Sequence, residues 1–175
     1  MGIGAVIHGF IECPGWSHNS NVKRLFRLNR KVLSSLPISD TDWPFITKDM
    51  FSMLPLRPSL ERQVAQYENQ VIHFAGDYKN MYILEADWIT KFERLLARLY
   101  WHSAVVTNEF SALRYEWSIA PDRMGDMIDR DPPLPPTEWT FRCFKMTLNQ
   151  LPLSEAVEGA LNSPHHIADS SQRGD

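Results

Sequence analysis

Apolar residues recur along this chain in two periods, and the switches between them mark out its elements. Ala5 to Cys13 is a run of β-branched and aromatic residues stopped by Pro14-Gly15, which predicts a strand. Asn19, Ser20 and Asn21 offer helix caps, and Val22, Leu25, Phe26, Val32, Leu33 and Leu36 then fall at helical spacing. Lys23, Arg24, Arg27, Arg30 and Lys31 cover the opposite side of that helix, which ends before Pro37. In residues 38–62, Asp40, Asp42 and Pro44 mark a loop, and Phe45 to Leu54 fits either a short strand or a helical turn. Tyr67 to Ala75 predicts a further strand, ended by Gly76-Asp77. Asp87 then caps a second helix whose apolar stripe is Trp88, Phe92, Leu95, Leu96 and Leu99, with Lys91, Arg94 and Arg98 outward. Val105 to Ile119 reads as one long strand, with Leu113, Tyr115, Trp117 and Ile119 alternating against Arg114, Glu116 and Ser118. Trp139 to Met146 alternates more weakly, as an edge strand would.

The tripeptide Val-Ile-His opens both early strands, at Val6-Ile7-His8 and at Val71-Ile72-His73, and a helix follows each. Strand, helix, strand, stated twice, is the order βαββαβ. The expected fold is therefore α+β: a ferredoxin-like sandwich, an antiparallel sheet with both helices on one face. The first and third strands are expected side by side and parallel at its centre. Residues 1–121 form the domain in this reading. Residues 122–153 form an acidic, proline-rich extension packed on it, and residues 154–175, dominated by small and polar side chains, form a loose tail.

Alternation then assigns faces. Ile7, Gly9, Ile11, Ile72 and Phe74 belong under the helices, and so do Leu113, Tyr115 and Trp117. The other face receives His8, Phe10, Glu12, His73, Arg114 and Glu116, together with Phe110. Four readings of that patch compete. His8 and His73 with Glu12 or Glu116 are chemically suited to a divalent metal, but no two ligands stand at a motif-like spacing. Acid–base catalysis by the same groups requires a placed nucleophile, which no motif supplies. Stacking of RNA on an open sheet requires basic surroundings and an RNP pattern, both missing. The fourth reading, a half-solvated face carrying an Arg–Glu cross-strand pair and covered in part by the C-terminal segment, is the favoured one.

Composition narrows the classes further. The chain has 175 residues, 43% of them hydrophobic, enough for one domain with a sizeable core. A net charge of −3 argues against a general nucleic-acid binder. The acidity lies towards the C-terminus. Residues 122–175 hold 5 Lys/Arg against 9 Asp/Glu, whereas residues 1–121 hold 13 against 12. Cys13 and Cys143 make no disulfide framework, and neither a membrane-length apolar run nor a secretory leader is evident, so a cytoplasmic protein is expected. No Gly-rich phosphate loop or nucleophile motif occurs, so no catalytic residue, metal or cofactor is assigned. The basic side of the first helix reads as a solvated face. Trp16, Trp43, Trp101 and Trp139 stand at element ends, where indole rings plug the rim of a core or anchor an interface.

Several segments together carry a resemblance. Trp43-Pro44-Phe45-Ile46-Thr47 precedes Met50-Phe51, and Tyr67 leads into Val71-Ile72-His73-Phe74 and Asp77-Tyr78-Lys79. Trp88 precedes Lys91-Phe92-Glu93, Leu95-Leu96 and Leu99-Tyr100-Trp101, and Tyr115-Glu116-Trp117 follows. Over residues 5–120 the chain resembles proteobacterial proteins that look like immunity proteins of polymorphic or contact-dependent toxin systems. The resemblance implies a protein that binds one cognate toxin domain and blocks its active site, without binding nucleic acid or membrane itself. The residues expected to meet that partner are Asp122, Asp126, Asp129 and Asp131 of the acidic connection, with Trp139. A small-ligand or metal-dependent enzyme using His8 and His73 is the alternative.

Overall fold

A computed structural model of the chain describes residues 4–13, 20–53, 70–79, 81–120, 123 and 135–146. It is α+β. Strand β1 is Gly4–Cys13, helix α1 Ser20–Ser34, β2 Phe51–Met53, β3 Gln70–Lys79, helix α2 Met81–Leu96, β4 Ser103–Asn108, β5 Leu113–Ile119 and β6 Trp139–Lys145. The six strands form one sheet in the order β2-β3-β1-β4-β5-β6, every neighbouring pair antiparallel.

β1 and β3 are neighbours, but they run antiparallel, with Phe10 opposite His73 and Gly9 opposite Phe74. This corrects the expectation of a parallel central pair. α1 carries the chain from β1 over β3 to β2, and α2 carries it from β3 over β1 to β4. β1 and β2 run the same way, and β3 pairs antiparallel with β2, so β3 opposes β1 at the centre of the sheet. Apolar alternation fixes which face a residue takes, and it carries no information about strand direction.

Three element boundaries also differ from the pattern. The expected long strand is a hairpin, β4 and β5, turned at residues 109–112. The Asn108 side chain accepts hydrogen bonds from the Phe110 and Ser111 N–H groups, and Ala112 takes a φ of 52°. Gly76 and Asp77 continue β3 instead of ending it, because the missing side chain of Gly76 leaves room for Tyr78 and Met50, whose atoms lie 2.9 Å from where its Cβ would stand. Asp87 is inside α2 and caps nothing. The ambiguous stretch before residue 54 holds both candidates, a 3-10 turn at Lys48–Met50 and the short strand β2.

Both helices bury their apolar stripes on one side of the sheet. Leu25 and Leu33 of α1 and Trp88, Phe92, Leu95 and Leu96 of α2 join Ile7, Ile11, Ile72, Ala104, Val106 and Trp117 in a single core. Aromatic rings run through it. Phe92 contacts Phe74 at 5.1 Å between centroids, Trp88 at 5.0 Å and Trp117 at 5.3 Å. Such pairs add about 1 kcal/mol each beyond the area they bury. Gly9 is required where it stands: a Cβ there would lie 1.9 Å from the Val105 carbonyl oxygen and 2.7 Å from the Phe74 ring. Asn29, Trp88 and Tyr78 are polar groups of the core that find partners within it. Asn29 donates to the Tyr100 carbonyl at 2.8 Å and accepts from the Tyr100 N–H at 2.8 Å. Trp88 donates to the Tyr78 hydroxyl at 2.9 Å, and that hydroxyl donates to the Phe45 carbonyl at 2.6 Å.

Lys91 departs from its expected outward position. Its ammonium group lies 3.2 Å from carboxylate oxygens of both Asp40 and Asp42, and it donates to the Asp42 and Pro44 carbonyls. The side chain thereby fastens the 40–44 loop to α2. Among the described residues no helix is long and apolar enough to cross a membrane.

Candidate functional site

The sheet face away from the helices is the candidate site, and alternation along the strands builds it. On β1, Ala5, Ile7, Ile11 and Cys13 are buried, while Val6 and His8 are exposed and Phe10 and Glu12 half-buried. Registers then align side chains across the strands. One row reads Ser52, His73, Phe10, Val105, Glu116 and Arg142, from β2 to β6. On one side of it lies Ala75, His8, Thr107, Arg114 and Phe144, and on the other Val71, Glu12, Ser103, Ser118 and Thr140. His8, Phe10, Glu12, His73, Arg114 and Glu116 therefore share one face, within three adjoining rows.

Their pairings are made within the face and with the turn beside it. Arg114 donates to Glu116 at 2.7 Å along β5, so this ion pair lies within a strand and not across strands. Across the sheet, Glu116 stands between Val105 and Arg142. His8 lies 3.4 Å from Glu109 in the β4–β5 turn. His8 and His73 are diagonal neighbours, about 7–8 Å apart in such a ladder. Among the described residues no group of three or more His, Cys, Asp or Glu is placed to hold a metal.

At the end of the face a second cluster forms, one that no sequence motif marks. The Glu12 carboxylate accepts from the Ser103 hydroxyl and lies 3.5 Å from His102 Nε2. Burial lowers the His102 pKa, against the pull of Glu12, and its Nδ1 is buried without a hydrogen-bond partner. A serine nucleophile needs its hydroxyl directed at an imidazole. Here the carboxylate occupies that position and holds both neighbours, which locks β1 to the start of β4. Cys13 is no better a nucleophile, since burial pushes its thiol up to about 12.

Compared with protein families, curated proteins and solved structures, the chain finds no match.

The remaining candidates divide by position. Asp122, Asp126, Asp129 and Asp131 lie outside the described residues, as does Trp16. Trp139 is half-buried, its ring edge-on to Trp101 at 5.0 Å. Trp101 is fully buried and donates to the Leu96 carbonyl at 2.9 Å, and Trp43 packs on Phe45 and Tyr78. These rings fill the rim of the core. Phe110 is exposed in the β4–β5 turn. Arg24, Arg27, Arg30 and Lys31 form an exposed basic side of α1. A shallow open depression of about 430 Å³ lies between that helix and β2, lined by Arg30, Leu33, Ser34, Lys48, Asp49, Phe51 and Met53. The sequence pattern missed Val105, Arg142 and Phe144 as members of the open face. Only the register of β4 and β6 brings them there, although the alternation of Trp139 to Met146 was a usable signal.

Proposed function

We propose that this chain is a protein-binding inhibitor of the immunity type, which neutralises a cognate bacterial toxin by laying the open face of its sheet over the toxin's active site. One observation carries the reading. The centre of that face is apolar and half-buried, with Phe10, Val71 and Val105, and it is rimmed by His8, His73, Glu12, Arg114, Glu116 and Arg142. An apolar centre inside a polar rim is the anatomy of a protein–protein interface. The mixed signs of the rim suit a partner of mixed charge and serve orientation more than affinity. The resemblance over residues 5–120 points the same way. In this reading the first four strands, in the order β2-β3-β1-β4 with their two crossover helices, make a ferredoxin-like unit to which β5 and β6 add breadth.

Co-expression with the polypeptide encoded immediately upstream tests the proposal. A stoichiometric complex that suppresses the neighbour's toxicity is expected, and a toxic neighbour that the chain neither binds nor suppresses would overturn it. The acidic connection contributes encounter rate: Asp126→Asn, Asp129→Asn and Asp131→Asn together should slow association at low salt. An unchanged on-rate removes that segment from the mechanism.

A further inference from the structure

The two edges of the sheet differ. β2 has three residues, and short edges resist pairing with other chains. β6 has seven, and from Thr140 to Lys145 every residue is exposed. Phe141, 48% exposed, lies on the helix side of the sheet against Tyr115 and Trp117, and Phe144, 43% exposed, lies on the open side. Among the described residues β6 pairs with β5 alone.

The direction of each β6 backbone group follows from the ladder. The Met146 N–H donates to the Ala112 carbonyl at 2.7 Å, so Met146, Phe144, Arg142 and Thr140 turn their backbone groups towards β5. Phe141, Cys143 and Lys145 turn theirs outward. Ile119 donating to the His102 carbonyl on the far side of β5 gives the same parity. The outward groups form a template for another strand.

We infer that β6 is a self-association edge, which a second copy of this chain joins by antiparallel β6–β6 pairing centred on Cys143. The side chains favour this one register. With Cys143 facing Cys143 of the second copy, Arg142 lies opposite the other copy's Phe144 on the open face, and Lys145 lies opposite its Phe141 on the helix side. Each cation meets an aromatic ring at cross-strand distance, and symmetry doubles every such contact. A slip one way sets Arg142 against Arg142, and a slip the other way leaves both cations without a ring. Cys143, Phe141 and Lys145 also form the hydrogen-bonded pairs of this register, so the outward amides are all used. The two open faces become continuous, an arrangement independent of what those faces bind.

Sedimentation of the full chain over a range of concentrations, under reducing conditions, tests the inference. A concentration-dependent dimer is expected, with the amides of Phe141, Cys143 and Lys145 gaining exchange protection as it forms. Cys143→Pro removes only an outward N–H and should abolish the dimer while leaving the β5 ladder in place. Phe144→Lys places a cation opposite Arg142 and should weaken the dimer by about tenfold, whereas Phe144→Glu should retain or tighten it. Phe144 also stands opposite Arg114 of the same chain, so the two Phe144 variants decide the matter where exchange protection of the Arg142 and Phe144 amides shows the β5 ladder intact in both, even if the proline variant fails to fold. A monomer at every concentration overturns the inference, including one in which those amides are protected by another segment of the same chain. A dimer that responds equally to both Phe144 variants overturns it too, because the copies then meet elsewhere.

Discussion

Phe10 and Ile11 are neighbours in the chain and lie on opposite faces of one sheet, and the two faces are held by different physics. Ile11 is fully buried in a core where shape decides: ring against ring around Phe92, and a glycine where a methyl group would strike a carbonyl. Phe10 is half-buried among polar groups already engaged with one another, Glu12 with Ser103 and His102, Glu116 with Arg114, and His8 with Glu109. Substitution on the first face should cost stability and leave recognition alone. Substitution on the second should do the reverse.

The largest expected effect breaks the covered face. Phe92→Ala removes a fully buried ring from three aromatic contacts and should lower stability by about 4 kcal/mol, read as a shift in urea midpoint. Gly9→Ala forces β1 away from Val105 and Phe74, and about 3 kcal/mol is expected from the same measurement. Lys91→Met cuts the clasp between α2 and the 40–44 loop, at about 2 kcal/mol. On the open face Phe10→Glu should change stability by less than about 1 kcal/mol while abolishing partner binding. If Phe10→Glu destabilises as much as Phe92→Ala, the distinction between the faces fails.

The smallest effect concerns pH, at the rim between the faces. Burial holds His102 below its ordinary pKa, so the unfolded chain binds its proton more readily than the folded one. Its contribution to stability is present above the unfolded value of 6.5 and is lost as pH falls through that value towards the lower folded one. The melting temperature should therefore fall more steeply on acidification through this range in the native chain than in His102→Gln. Equal slopes would show that the imidazole is not the group responsible.

The faces were legible in the sequence because alternation is local: Val6 to Cys13 and Leu113 to Ile119 sort correctly from their letters alone. Strand direction was misread, since it follows from the antiparallel pairing of β3 with β2, and the three residues of β2 are too few to show a strand by alternation. The β4–β5 turn contains neither Gly nor Pro, and its geometry comes from the Asn108 side chain and a left-handed Ala112, so the pattern ran straight through it. Lys91 looked outward because it is charged, and only the fold brings Asp40 and Asp42, some fifty positions away, to meet it. The candidate site was half visible for the same reason. His8, His73 and Glu116 follow from alternation, whereas His102, Arg142 and Phe144 reach their places through registers that depend on the whole sheet.

The most direct test of the binding account is calorimetric titration of the chain with the polypeptide encoded immediately upstream. Three forms should be compared: the native chain, Phe10→Glu with Val105→Lys on the open face, and Arg27→Glu with Lys31→Glu on α1. Stoichiometric binding by the native chain and the α1 variant is expected, and none by the open-face variant. Undiminished binding by a folded open-face variant, or no binding by the native chain, would contradict it.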